Sequence, residues 1–480
     1  MTPLSPVVFA VVCCAGVGAG CTGKITPDAP SLATGTAIVG GAGSGASVVG
    51  IAVSPLTLTP AFSPSIHDYS VRCTTGKNAV TVTVTDSRGA QSTSLQIVED
   101  QAIEVRGLYW IRCLPSDFPE IGVARDPSGG GPTAGWYLLN SSTYAIVLDT
   151  NGTPVWYSRG PFVLDVDSLE PNAISFMPNA TAPFGTSATN RFDLHSLDSL
   201  TTTTLMAVGS PTDGHELRLL PNGDHLLLTY PIVSGVDLTG LQSFGTDETI
   251  ADGEVQEIDS AGHVVWSWEA SDHIDPVKES IEPAMDTVNG APVVDVFHFN
   301  SIDVDASGNL LLSARHTNAL FYVDHASGTV LYKVGGSPFN KDGAACIQIV
   351  NDPQTAFNMQ HDARFLPNGD ISLFDDHGAS AGVARGVEYA IDHMANTATV
   401  SFQFLGVGQS QYEGSFRRYP DGHSVIGWGY VPSDERVVTE IDENGEDVFD
   451  ITFEDQNSYR AIKVPLSQLD IGMLRASTAK

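Results

Sequence analysis

The sequence predicts an all-β protein: a six-bladed β-propeller preceded by a small β-sandwich. Three observations carry that prediction. Forty-seven Gly and 28 Pro among 480 residues, with abundant Thr, Ser and Val, favour strands and turns over helices. One strand–turn–strand unit recurs along the chain: "LRLLPNGDHLLLTY", "IDVDASGNLLLSAR", "ARFLPNGDISLFDD" and "FRRYPDGHSVIGWG". A second hairpin follows it: "VQEIDSAGHVVWSW", "FYVDHASGTVLYKV", "EYAIDHMANTATVSF" and "VTEIDENGEDVFDI", with "AIVLDTNGTPVWYS" near the start. Two hairpins per unit, at a period of about 45–60 residues, fit the blades of a propeller.

Residues 1–20 read as an export signal. "PVVFAVVCCAGVGAG" is apolar, too short to span a bilayer comfortably, and ends in small residues. "GAGC" resembles a lipobox, which makes Cys21 a candidate for lipidation and membrane attachment, with ordinary cleavage as the alternative. Residues 21–47 are rich in Gly, Ser, Ala and Thr and read as a flexible tether. Residues 48–125 alternate strand and turn, and 126–480 form the propeller. Blades are expected to begin near residues 136, 172, 215, 298, 361 and 412, with the final "SYRAIKVPL" closing the ring. Cys73 and Cys113 each end a strand-like run, "YSVRC" and "YWIRC", and an exported protein could pair them; two free buried thiols are the alternative.

The net charge of −33, from 23 Lys+Arg and 56 Asp+Glu, argues against nucleic acid and anionic membrane surfaces as partners. An anionic substrate would need cations placed locally.

Aligning the first hairpins on their turn glycines singles out one position. Gly223, Gly308, Gly369 and Gly422 each lie eight residues after His215, Asn300, His361 and Gly414. Innermost strands surround a propeller's axis, so equivalent strand starts converge on one mouth of the channel. His298, two residues before Asn300, is expected to point the same way by the period of a strand. Asp362, one step along from His361, is expected to face away and not to orient it. A single His is more often a structural hydrogen bonder than a catalyst. Three His and an Asn in register make a stronger case. Arg315, at the end of the strand after the Asn300 hairpin, favours an anion over a metal in such a cluster.

Two resemblances follow from these residues. "LTLTPAFSPSIHDYSVRC" followed by "AVTVTVTDSRGAQ" resembles a cadherin-like β-sandwich module of exported bacterial proteins. "VFHFNSIDVDASGNLLLSARHTNALFYVDHASG", "DGHELRLLPNGD" and "MQHDARFLPNGD" together resemble the bacterial arylsulfotransferase (aryl sulfate:phenol sulfotransferase) family. That resemblance implies a periplasmic six-bladed propeller that passes a sulfuryl group from an aryl sulfate donor to a phenol acceptor through a sulfohistidine, with no nucleotide donor, cofactor or metal. By motif position His361 matches the nucleophile, and His215, His298, Asn300 and Arg315 match the sulfate-binding set. The family's "F-D-N-G…R…E-Y" stretch reads "LFDDHGASAGVARGVEYAID" here. Asp376-His377 replaces Asn-Gly, while Arg385, a substrate-binding candidate, is retained with Glu388 and Tyr389.

The residue chemistry agrees. Sulfuryl transfer, like phosphoryl transfer, proceeds through a loose transition state with charge on peripheral and leaving oxygens. Positioning and electrostatics dominate such catalysis, and a neutral imidazole is a competent nucleophile. Two readings from other classes stand beside it: a non-catalytic cell-surface binding propeller, and a metal-assisted hydrolase using the three His.

Overall fold

Each hairpin forms for a local reason. Gly223, Gly308, Gly369 and Gly422 have φ of +91°, +87°, +89° and +90°, a region that side-chain-bearing residues avoid. In the second hairpins and the Asn309 turn, an aspartate caps its own bend. Asp149, Asp259, Asp305 and Asp442 accept the backbone N–H two residues on at 2.8, 2.9, 2.7 and 2.9 Å. Such turns fix the register of the flanking strands.

A computed structural model describes residues 37–39, 47–126, 130–180, 187–454 and 457–477. Its C-terminal part resembles a six-bladed β-propeller. Blades two to six each run outward from the axis in chain order, with innermost strands Leu164–Asp167, Thr212–Leu219, Phe299–Val304, His361–Phe365 and Ser415–Arg418. Blade one takes its innermost strand, Ala461–Val464, from the far end of the chain, antiparallel to Trp136–Ser141. The six innermost strands pack successively around the axis. Blade two therefore begins with Leu164–Asp167 and not near residue 172, because "LDVD" is the inner partner of Ala173–Met177.

Two additions depart from the simple repeat. Ile232–Val236 and Glu248–Ala251, inserted within blade three, join Ala284–Val288 and Ala291–Asp295 in a separate four-stranded sheet. Ala345–Ile349 pairs in parallel with the outer strands of blades four and five and fuses them into one nine-stranded sheet.

Residues 47–114 form two further sheets. Val48–Ser54, Asn78–Asp86 and Gly89–Ile97 make one; Asp68–Arg72, Ala102–Val105 and Tyr109–Leu114 lie in the other. Asn78–Asp86 alternates buried and less buried residues, and its Val80, Val82 and Val84 share a core with Ile103 and Ile111. Each fully buried valine or isoleucine stabilises by about 1.5–3 kcal/mol relative to exposure. Cys73 and Cys113 are disulfide-bonded across adjacent parallel strands, Cα atoms 5.6 Å apart. Part of the stretch read as a tether is ordered: Ala37–Val39 pairs in parallel with Ala102–Val105. The expected signal and Cys21 lie outside the described residues. These sheets abut the propeller, where Arg112 donates to the carbonyls of Val155 at 2.7 Å and Leu474 at 3.1 Å, and Arg475 pairs with Asp68 at 2.6 Å.

Below the mouth of the channel, charged side chains of the inner strands meet. Arg460 pairs with Asp165 at 2.6 Å and Glu216 at 2.8 Å; Arg364 pairs with Glu216 at 2.7 Å and Asp362 at 2.6 Å; Arg417 pairs with Asp362 at 2.7 Å. The buried members compensate one another, as charge away from water requires. Asp362 does face away from His361, into this network.

Candidate active site

A cavity of about 460 Å³ lies at one mouth of the channel. His215, His298, Arg315 and His361 line it together, and of these His215 and His361 hold the eight-residue register. The inner strands deliver them through irregularities. Pairing shifts between Thr212 and Leu217, between Phe299 and Ser301, and between His361 and Arg364. Such bulges at strand ends re-aim side chains.

That irregularity separates His298 from Asn300. His298 has φ +51° and sits just before the strand, so the two-residue alternation does not hold there. Asn300 is fully buried, donating through Nδ2 to the Gln360 carbonyl at 2.7 Å, and does not reach the cavity. Arg385 does not reach it either. It is held by Asp352 at 2.7 Å and Asp375 at 3.0 Å, where it anchors the residue before Asp376. Neither candidate for substrate binding contacts the cavity: Asn300 braces adjacent inner strands, and Arg385 braces blade five.

Each cavity histidine leans on its own aspartate through Nδ1. The distances are 2.5 Å for His215–Asp213, 2.5 Å for His298–Asp295 and 3.1 Å for His361–Asp376. With Nδ1 engaged in all three rings, Nε2 is the nitrogen left for a ligand. Asp213 belongs to the same inner strand as His215. Asp295 ends the inserted sheet. Asp376 follows the second strand of blade five, in the stretch where the sequence departs from Asn-Gly. The aspartates were missed in the sequence because each lies at a different offset from its histidine. The Asp376 departure was the one visible signal.

Arg315 opens a short 3₁₀ turn, Arg315–Thr317, and its N–H donates to the His298 carbonyl at 2.9 Å. Its Nη1 donates to His316 Nε2 at 3.1 Å and its Nη2 to the Gln411 carbonyl at 3.0 Å. Because the guanidinium is a donor only, His316 carries its proton on Nδ1, which donates to the Asp295 carbonyl at 2.9 Å. Asp295, His298 and His316 bring their ligand-type atoms within 4.8 Å of one another. Both nitrogens of His316 are already engaged, and a guanidinium lies against it. The group reads as a relay that sets Arg315 and His298, more than as a cation site.

Burial is the main influence on the ring charges. It lowers His298 to about 4. It also places His361 well below its ordinary value, with the Arg315 charge adding to the effect. Burial acts on Asp376 in the opposite direction and raises its carboxyl well above the usual range. Asp295 would be raised too, but His316 and His298 hold it well below. His361 is thus an uncharged ring beside a guanidinium. Tyr459, also at the cavity, donates to the backbone carbonyls of His215 at 2.9 Å and Asn300 at 3.2 Å, tying the chain's last blade segment to the site. Phe162, Leu164 and Ala180 supply an apolar wall, with Tyr412 also at the cavity.

A polar, cationic centre beside an apolar wall suits an aromatic anion. Comparison with known proteins places the chain in a class. The family model of arylsulfotransferase (ASST) matches residues 191–454, more than half the chain, and the chain belongs to that family. Among curated proteins none matches. Solved structures similar to the chain include a Bacteroides caccae protein of unknown function, at 12% identity, covering 69% of this chain and 99% of that one, TM-score 0.43. Others are a Lactobacillus plantarum protein, at 12% identity, 68% and 83% coverage and TM-score 0.36, and virginiamycin B lyase from Staphylococcus aureus, at 10%, 69% and 99%, and 0.31. These distant likenesses carry no argument about activity. No helix among the described residues is long and apolar enough to cross a membrane.

Proposed function

We propose that the chain is a nucleotide-independent aryl sulfotransferase that moves a sulfuryl group from an aryl sulfate to a phenol through a sulfohistidine on His361. The observation that supports this most is the pairing of an uncharged His361 with Arg315 in one cavity. His361 Nε2 attacks sulfur as the S–O bond to the leaving phenol breaks. Asp376 holds the ring at Nδ1. Arg315, His215 and His298 surround the sulfonyl oxygens, where charge spreads in a loose transition state. A phenol then attacks the N-sulfonate and regenerates His361.

Export of the protein, with Cys21 as a lipid site, and a cadherin-like spacer role for residues 48–125 belong to the same proposal. The disulfide suits an oxidising compartment.

The test is incubation with 4-nitrophenyl sulfate, with and without an acceptor phenol, in the presence of a chelator. Without acceptor, the expected result is a stoichiometric burst of nitrophenolate and a sulfonate adduct on His361; acceptor should discharge the adduct and sustain turnover. Loss of activity on chelation favours the hydrolase reading. Donor binding without release favours the binding-propeller reading.

A further inference from the structure

The cavity contains a carboxyl with no place in the scheme above. Glu413 lines it alongside His215, His361 and Arg315. The fold holds this side chain in place. Glu413 has φ +70°, a strained value for a residue with a Cβ, just before the innermost strand of blade six. The next residue, Gly414, donates its N–H to the Tyr459 carbonyl at 2.9 Å. Across from it Gly429 has φ +61°, and a Cβ there would lie 2.5 Å from the Glu413 carbonyl oxygen. The carboxyl accepts a hydrogen bond from Asn457 Nδ2 and is otherwise directed at the cavity. The other acid lining the cavity, Asp213, is turned on His215.

The reaction has a matching need. In the first half-reaction a phenolate oxygen leaves, and for a weakly acidic phenol that oxygen requires a proton. In the second, an incoming phenol must lose one. His298 and His361 are held uncharged by burial, so neither stores that proton near neutrality.

We infer that Glu413 is the acid–base group of the transfer, giving its proton to the departing phenolate oxygen and taking one from the acceptor phenol. This rests on the sulfuryl-transfer reading. In the first step the His361 Nε2–S bond forms, the S–O bond breaks with its electron pair going to oxygen, and the Glu413 proton moves to that oxygen. The products are the phenol, the N-sulfonated His361 and the Glu413 carboxylate. In the second step the acceptor oxygen bonds to sulfur, the S–N pair returns to the imidazole, and the acceptor's proton goes to Glu413. Charge and protons balance over the cycle. Burial, opposed by Asn457 and His215, raises the Glu413 carboxyl to about 7, where both forms are populated. The charged and titratable groups around it are His215 from blade three, Arg315 through the Gln411 carbonyl from blade four, His361 and Asp376 from blade five, the adjacent Tyr412, and Tyr459 before the closing strand.

The experiment compares two donors in the full-length protein. In single turnovers without acceptor, which isolate the first half-reaction, Glu413→Gln should slow release from 4-nitrophenyl sulfate, whose phenol leaves without help, far less than release from phenyl sulfate, with circular dichroism showing the variant folded. With phenyl sulfate the variant should be slower by about 100-fold. In the wild type, kcat/KM for phenyl sulfate should fall as pH rises through about 7. Asn457→Ala, which removes a hydrogen bond that favours the carboxylate, should move that fall to higher pH. Equal slowing on both donors, or a limb unmoved in Asn457→Ala, overturns the role of Glu413 and leaves sulfuryl transfer intact. Wild-type protein that releases phenol from neither donor overturns both.

Discussion

His361 Nδ1 lies 3.1 Å from the Asp376 carboxyl, with both residues buried. Burial favours the uncharged form of each. The carbonyl oxygen of an uncharged carboxyl accepts the Nδ1–H, which leaves the Nε2 lone pair for attack. Asp376→Ala should therefore lower kcat by about 100-fold with KM little changed, because the ring loses its orientation and tautomer. Asp376→Asn keeps an accepting oxygen without charge and should retain most activity. Pre-steady-state adduct formation on 4-nitrophenyl sulfate measures this, and equal losses in the two variants would contradict an orienting role.

Arg315 is fixed through both terminal nitrogens, by His316 and the Gln411 carbonyl. Its substitution by Ala should cost about 3 kcal/mol of transition-state stabilisation, read as a loss in the rate of adduct formation. Lysine should restore little, since one ammonium cannot reproduce the fork. A Lys variant with near-wild-type rate would show that point charge alone suffices.

The ion pairs beneath the cavity should be felt as stability. Arg460 is buried against Asp165 and Glu216. Arg460→Ala leaves Asp165 without its arginine and Glu216 with Arg364 alone, and is expected to destabilise by about 3–5 kcal/mol. Urea unfolding followed by tryptophan fluorescence gives the value, and a change below about 1 kcal/mol would mean that the network relaxes easily.

Acid should unfold the protein partly through His298. Its ring is uncharged when folded, lowered by burial from 6.5 to about 4. The unfolded chain binds a proton at pH values where the folded one does not. The stability is therefore present above pH 6.5 and is lost as pH falls towards about 4, by about 3 kcal/mol. His298→Gln cannot take up this proton, so its stability should fall less over the same interval. Parallel curves for the two proteins would remove His298 as a source.

Most of the architecture was legible in the sequence because it is built from local signals. Turn glycines such as Gly223 and Gly369 must adopt positive φ, so their spacing to His215 and His361 survives folding unchanged. His298 reaches the same mouth by another route, through its left-handed backbone and not through strand alternation. What was not legible depends on breaks in that regularity. Asn300 was expected beside His298, but a left-handed residue and a bulge turn it into the wall. Asp295 reaches His298 only because the inserted sheet ends there, and no periodicity announces an insertion. Arg385 has the residue type for an anion site, yet Asp352 and Asp375 already neutralise it. Glu413 stands one residue before the aligned Gly414, and no periodicity marks it.

The strand Ala461–Val464 completes blade one from the opposite end of the chain, and Tyr459 and Arg460 immediately precede it. A ribosome delivers these residues after every histidine of the cavity has emerged. The first blade must wait with an open edge through the synthesis of more than 300 residues. Until the closing strand arrives, the carbonyls of His215 and Asn300 lack their common phenol, and Glu216 lacks one of its arginines. The wall of the cavity is thus completed only by the last strand to be made.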